Sequence, residues 1–190
     1  MSDIASNILK LKSELPAGVK LVAVSKTKTV EEIFEAYNAG HKCFGENKAQ
    51  ELLAKKDFLP SDIEWHFIGH LQSNKVKFIA PFISIIQSVD SIKLLTVINN
   101  EAAKMGKVVN CLLQLYIAEE ESKFGFSMDE LTSVFESKAI DNMINIRICG
   151  LMGMASFTDN VCQVRKEFAY LKECFDKLKV EYCSKNSYLP

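Results

Sequence analysis

The sequence predicts an α/β fold built on a parallel sheet with crossover helices, and three observations lead there. Short apolar segments rich in β-branched residues alternate six times with longer segments of helical periodicity. The short segments are apolar on both faces, as strands are when helices cover them. Polar residues cluster just after them: Lys26 and Lys28, Glu46 and Asn47, His70 and Gln72, Asp90, Lys123, and Met152 with them. In open and closed parallel sheets alike, the carboxyl ends of the strands form the binding face. An open dinucleotide-binding sheet usually carries a glycine-rich turn after its first strand. Here that turn is Ser25-Lys26-Thr27-Lys28-Thr29, without glycine, which favours a closed (β/α) barrel.

The elements follow in order. A first helix over Asp3–Glu14 is read from the stripe Ile4, Ile8, Leu9, Leu11, Leu15. Strands are expected over Lys20–Ser25, Lys42–Glu46, Glu64–Gly69, Ser84–Val89, Val108–Ala118 and Ile144–Ala155. Helices are expected between and after them, over Val30–Ala39, Lys48–Phe58, Ser73–Phe82, Ile92–Met105, Met128–Lys138 and Asn160–Lys179. Asp90-Ser91 is read as the cap of the fourth of these, and Ser127-x-x-Glu130 as a capping box for the fifth. Gly40, Gly106 and Gly125 punctuate helix ends and turns.

The 190 residues fit one domain, residues 1–190, with a net charge of −1 and the composition of an ordinary globule. A near-zero charge argues against nucleic acid as the main partner. The longest apolar runs are strand-sized, far short of the ~20 residues a bilayer needs, so no membrane association is expected. The first residues lack the apolar core of a signal peptide, and a cytoplasmic location is expected. The six cysteines form no Cys-x-x-Cys pair, so free thiols are expected rather than a zinc or redox site.

Lys26 shares strand parity with Val22 and Val24. At the carboxyl end of a first barrel strand it would point into the mouth, where a partly desolvated amine can attack an aldehyde. The alternative is a lysine that has simply reached solvent. Asn47 could cap the next helix or bind a ligand. His66 and His70 are four apart but on strand and loop, with no carboxylate between them in the metalloprotease manner, so hydrogen-bonded histidines and no metal are expected. Glu119-Glu120-Glu121 reads as a solvated turn. Gly150 and Gly153 flank Met152 and permit close backbone approach to a ligand. No serine-hydrolase elbow or Walker loop is evident.

Together the segments VAVSKTK, FGENKAQE, WHFIGHLQSNK and Gly150–Met152 resemble the pyridoxal phosphate (PLP) homeostasis proteins, single-domain relatives of the alanine racemase barrel domain, from the first helix to about Tyr182. The resemblance implies a (β/α)8 TIM-type barrel of the alanine racemase N-terminal domain kind with PLP at the carboxyl ends of its strands. It implies Lys26 as the Schiff-base lysine, with Asn47 and Met152 beside the cofactor. It further implies PLP storage or delivery in vitamin B6 homeostasis, with PLP-dependent apo-enzymes as recipients and no catalytic turnover. A PLP-dependent racemase or decarboxylase is the alternative from the same lysine. The family continues with a Ser-Gly-Met-Ser turn and a strand ending in Arg-Gly-Phe-Gly, which cradle the phosphate. This sequence stops at Tyr188-Leu189-Pro190. The expectation is therefore a barrel with about six strands, shortened at the C-terminus, a monomer or weak dimer. Val22, Val24, Ile146 and Ile148 would meet water at its open edges.

Overall fold

The computed structural model describes residues 3–118 and 124–183. The acidic run Glu119–Glu121 and Lys123 lie outside the described residues. After helix α1 (Asp3–Glu14), six strands form one sheet: β1 (Ala23–Val24), β2 (Cys43–Glu46), β3 (Glu64–Phe67), β4 (Ile85–Val89), β5 (Val109–Gln114) and β6 (Ile146–Met152). Between them run α2 (Val30–Asn38), α3 (Ala49–Lys56), α4 (Val76–Ile79), α5 (Ile92–Lys104) and α6 (Met128–Glu136), and α7 (Val161–Leu178) follows β6. Every pairing is parallel, and the spatial order is the chain order, β1 to β6. A doubly wound sheet reverses its strand order at a switch point; this one never does, which is the topology of a barrel wall.

The two faces of the sheet differ as the parity predicts. Ala23 and Phe44, register partners on β1 and β2, pack in the core with Ile8, Ile33 and Ala36 and so lie under the helices. Val24, on the opposite parity, is 51% exposed, as expected for a sheet that stays open at β1, whereas Val22 is half-buried, more covered than expected. At the other edge the expectation is wrong. Ile148 is only 2% exposed, paired with the buried Cys111, and Ile146 is half-buried. Arg147 and Cys149 have the opposite parity, and Cys149 Sγ reaches Asn110 Oδ1. Ile146 and Ile148 thus share one parity of β6, and Arg147 and Cys149 the other.

Several elements are shorter than their periodicity suggests. Only Ala23–Val24 of the expected first strand forms a ladder, paired with Phe44 and Gly45 of β2. The expected helix over Ser73–Phe82 breaks into a 3₁₀ turn, Ser73–Lys75, and α4; Pro81 follows one residue past its cap and forbids continuation. The fifth strand ends at Gln114, where Leu115 turns to bridge Phe126. Gly125 makes that crossing possible: its φ is +145°, and a side chain there would press into the backbone at Tyr116. α7 runs into a π turn, Lys179–Cys183, and Tyr182 stacks on Phe135 of α6 with ring centroids 5.3 Å apart.

The capping signals hold with one change. Ser127 and Glu130 form the expected capping box, and Thr29 with Glu32 forms another at α2. Ser91 alone caps α5, accepting from the Leu94 amide, while Asp90 is engaged elsewhere. No helix of the described residues is long and apolar enough to cross a membrane.

Candidate binding site at the carboxyl ends of the strands

Lys26 follows β1 in a turn closed by the Lys28 amide donating to the Ser25 carbonyl at 3.1 Å. Its side chain is exposed and, among the described residues, has no hydrogen-bond or ion-pair partner. The partial desolvation expected of it is absent: β1 is the sheet's edge strand, so a residue beyond its end has cover on one side at most. Lys28 turns away, its ammonium 2.9 Å from Glu32 Oε1 on α2. Of the two lysines in SKTK, Lys28 is thus held on the helix and Lys26 is not.

Asn47 follows β2. It caps nothing: Lys48 occupies the cap position of α3, without a side-chain bond. The Asn47 Oδ1 is buried without a partner, an acceptor left open where burial normally demands one. It borders a cavity of about 210 Å³ together with Lys48, Gln50, His70, Gln72 and Lys75. Gly69 approaches the Asn47 backbone so closely that a Cβ would collide with the Asn47 carbonyl. Met152 ends β6, half-buried, with its carbonyl accepting from the Leu115 amide at 2.8 Å. Lys26, Asn47 and Met152 thus lie at the carboxyl ends of β1, β2 and β6, on one end of one sheet, although they do not share a single cavity.

Three groupings escaped sequence reasoning. His70 Nδ1 lies 2.8 Å from Asp90 Oδ2, joining the ends of β3 and β4, and its ring stacks on Phe124 at 4.3 Å. Under the Lys26 turn, Lys55 Nζ contacts Glu46 Oε1 at 2.9 Å and Glu51 Oε1 at 2.6 Å. Burial works against the Lys55 charge, but its bonds to Glu51 and Glu46 outweigh this and raise its pKa; the bond from Lys55 lowers that of Glu51. The i,i+4 spacing of Glu51 and Lys55 on α3 was the available signal. Third, Cys43, Glu64 and His66 place ligating atoms within 4.8 Å of one another on β2 and β3. Cys43 Sγ and His66 Nε2 are 3.3 Å apart, His66 Nδ1 meets the Gln87 amide, and Lys20 holds Glu64 in an ion pair. Burial raises the Cys43 pKa and lowers that of His66, so thiol and imidazole both favour their neutral forms. The histidines are hydrogen-bonded as expected, but through partners far apart in sequence. A cavity of about 400 Å³ lies beside Lys20, His41 and Glu64 near the amino ends of β2 and β3, away from the strand mouth where barrels place their chemistry.

The model of the alanine racemase N-terminal domain matches residues 1–188. The pyridoxal phosphate homeostasis protein of Pasteurella multocida (strain Pm70) is 37% identical over 166 residues, 86% of this chain and 70% of that protein. The chain belongs to this family, as a relative of the pyridoxal phosphate homeostasis proteins. The homeostasis protein of Haemophilus influenzae is 38% identical over 164 residues, 85% of this chain and 68% of that protein. Among solved structures, PipY of Synechococcus elongatus PCC7942 with PLP bound is 31% identical with a TM-score of 0.85, covering 95% of this chain and 84% of that one. Alanine racemase of Clostridium difficile 630 shares the fold at 14% identity, TM-score 0.72, over 94% of this chain and 48% of its own. The barrel expected from the alternation of elements is therefore the alanine racemase N-terminal barrel, here with six parallel strands in its described residues.

Proposed function

We propose that this single-domain chain binds pyridoxal 5′-phosphate at the carboxyl ends of its strands and serves vitamin B6 homeostasis in the cytoplasm, holding PLP for apo-enzymes without catalytic turnover. The observation that carries the reading is the free, exposed amine of Lys26 at the end of β1, on the same end of the sheet as the buried, unpartnered Asn47 Oδ1. The family supports it, since the relatives are named as PLP homeostasis proteins and PipY was solved with PLP.

The residues present fit the group. PLP supplies an aldehyde that condenses with a primary amine. Lys26 offers that amine in its only unpaired form along the turn, while Lys28 is held on Glu32. Asn47 Oδ1 would accept a hydrogen bond that no protein group gives it, ending its isolation. Lys48 and Lys75 line the cavity beside Asn47 and favour an anionic ligand there. Met152 would add a soft, polarizable wall from β6.

Borohydride reduction of the chain with PLP, followed by peptide mapping, tests the assignment. Label is expected on Lys26, lost in Lys26→Ala and retained in Lys28→Ala. Label on Lys28, or full label in Lys26→Ala, would overturn it. Single enantiomers of amino acids incubated with the PLP-loaded chain are expected to be recovered unchanged; racemisation or release of carbon dioxide would replace the carrier reading by an enzymatic one.

A further inference from the structure

We propose that Lys55, Glu51 and Glu46 are positioning residues for Lys26: they clamp a strained turn on both sides of its amine. The proposal rests on the reading of Lys26 given above. The turn Ser25–Lys28 has Thr27 in its third position with φ +64°. That is the left-handed region used at the third position of a type II turn, where glycine is the ordinary residue and a β-branched one is a rarity. A turn with threonine there persists only if its surroundings over-determine it.

The surroundings supply that determination from two sides. Before Lys26, the Ser25 carbonyl accepts from Lys55 Nζ at 2.9 Å, and the Ser25 hydroxyl donates to Glu46 Oε1 at 2.8 Å. After Lys26, the Thr27 amide donates to Glu51 Oε1. The Lys55 ammonium joins both anchors, bonding Glu46 and Glu51 at once. Glu46 is 0% exposed and the Lys55 side chain 11%. Buried ion pairs of this kind are poor sources of stability, since apolar replacements are often neutral or better. What this one does visibly is fix the peptide units flanking Lys26 while leaving the Lys26 side chain free. Rigid backbone under a free amine is the arrangement that preorganises a nucleophile, because the chain then loses no further freedom when the amine reacts.

The test compares the unaltered chain with Lys55→Met, Thr27→Gly and the double variant. It reads exchange of the Thr27 amide without ligand, and the rate of borohydride-trapped label with PLP. In Lys55→Met the Thr27 amide is expected to exchange about tenfold faster, with trapping at Lys26 slowed about tenfold. Thr27→Gly in the Lys55→Met background is expected to restore trapping to within about twofold, because glycine adopts the turn without a clamp. Unchanged trapping in Lys55→Met, or slowed trapping that Thr27→Gly leaves slow, overturns the proposal. If Lys55→Met does not fold, Glu51→Met, which removes the acceptor of the Thr27 amide, takes its place: trapping should slow in the threonine chain and not in Thr27→Gly, and equal slowing in both overturns the clamp. Absence of label at Lys26 in the unaltered chain would instead overturn the Lys26 reading itself, whatever the exchange data show.

Discussion

Asn47 and Gly69 act as one unit: the loop after β3 passes so close to the Asn47 peptide that only a residue without Cβ fits. Gly69→Ala must displace the Asn47 backbone, and with it the unpaired Oδ1. The expected result is destabilisation by about 1–3 kcal/mol, as for other overpacked sites, with weakened PLP binding; calorimetry and titration with PLP check the two parts. The histidines make a second residue-scale prediction. Burial holds both His41 and His66 below the ordinary value of 6.5. Well above pH 6.5 both are neutral whether the chain is folded or not. As pH falls below 6.5 the unfolded chain takes up protons that the folded chain refuses, so stability is lost progressively, by at most about 1.4 kcal/mol per pH unit for each imidazole. Denaturant melts between pH 7.5 and about 5 should show this decline, and His66→Gln should make it shallower.

Among the elements, the capping boxes set where α2 and α6 begin. In α6 the Ser127 hydroxyl accepts from the Glu130 amide at 3.1 Å while the Glu130 carboxylate accepts from the Ser127 amide at 2.7 Å. Ser127→Ala removes one half of this exchange and is expected to lower stability by about 1 kcal/mol, with Ser127→Asp close to neutral; urea unfolding at constant slope measures both. The helix stop at Pro81 shows the opposite control. Apolar periodicity over Ser73–Phe82 suggests a full helix, yet a residue without an amide hydrogen ends α4 at Ile79. Local chemistry outranks periodicity there because a proline inside a helix costs ~3 kcal/mol or more.

For the whole molecule, the consequential feature is a sheet whose first and sixth strands do not pair with each other. β1 and β6 each leave one side of their ladder without a strand among the described residues, and Val24 stands 51% exposed beside one of them. Such edges template association, and each large apolar side chain left outside forgoes roughly 1.5–3 kcal/mol of burial. Against a net stability of about 5–15 kcal/mol this is substantial. Sedimentation of the chain should therefore show concentration-dependent self-association, which Val24→Lys should suppress by charging the β1 edge. A strictly monomeric unaltered chain with a sharp melt would contradict this.

The sequence by itself determined the alternation of strands and helices, the parallel barrel-type sheet, and the capping box at Ser127. These follow from local patterns: parity, periodicity, and side chains bonding amides three residues away. The resemblance carried by VAVSKTK, FGENKAQE and WHFIGHLQSNK reached the family as well. Only the tertiary structure decided the rest. The face chosen by Ile148 depends on where the helices lie over β6. Thr27 takes a conformation its own chemistry disfavours because Lys55 and Glu51, distant in sequence, hold it there. His70 meets Asp90 because β3 and β4, separated in the chain by the α4 segment, end side by side. Hydrogen-bond partners across a parallel sheet are separated by whole helices, and no short-range pattern encodes which ones meet.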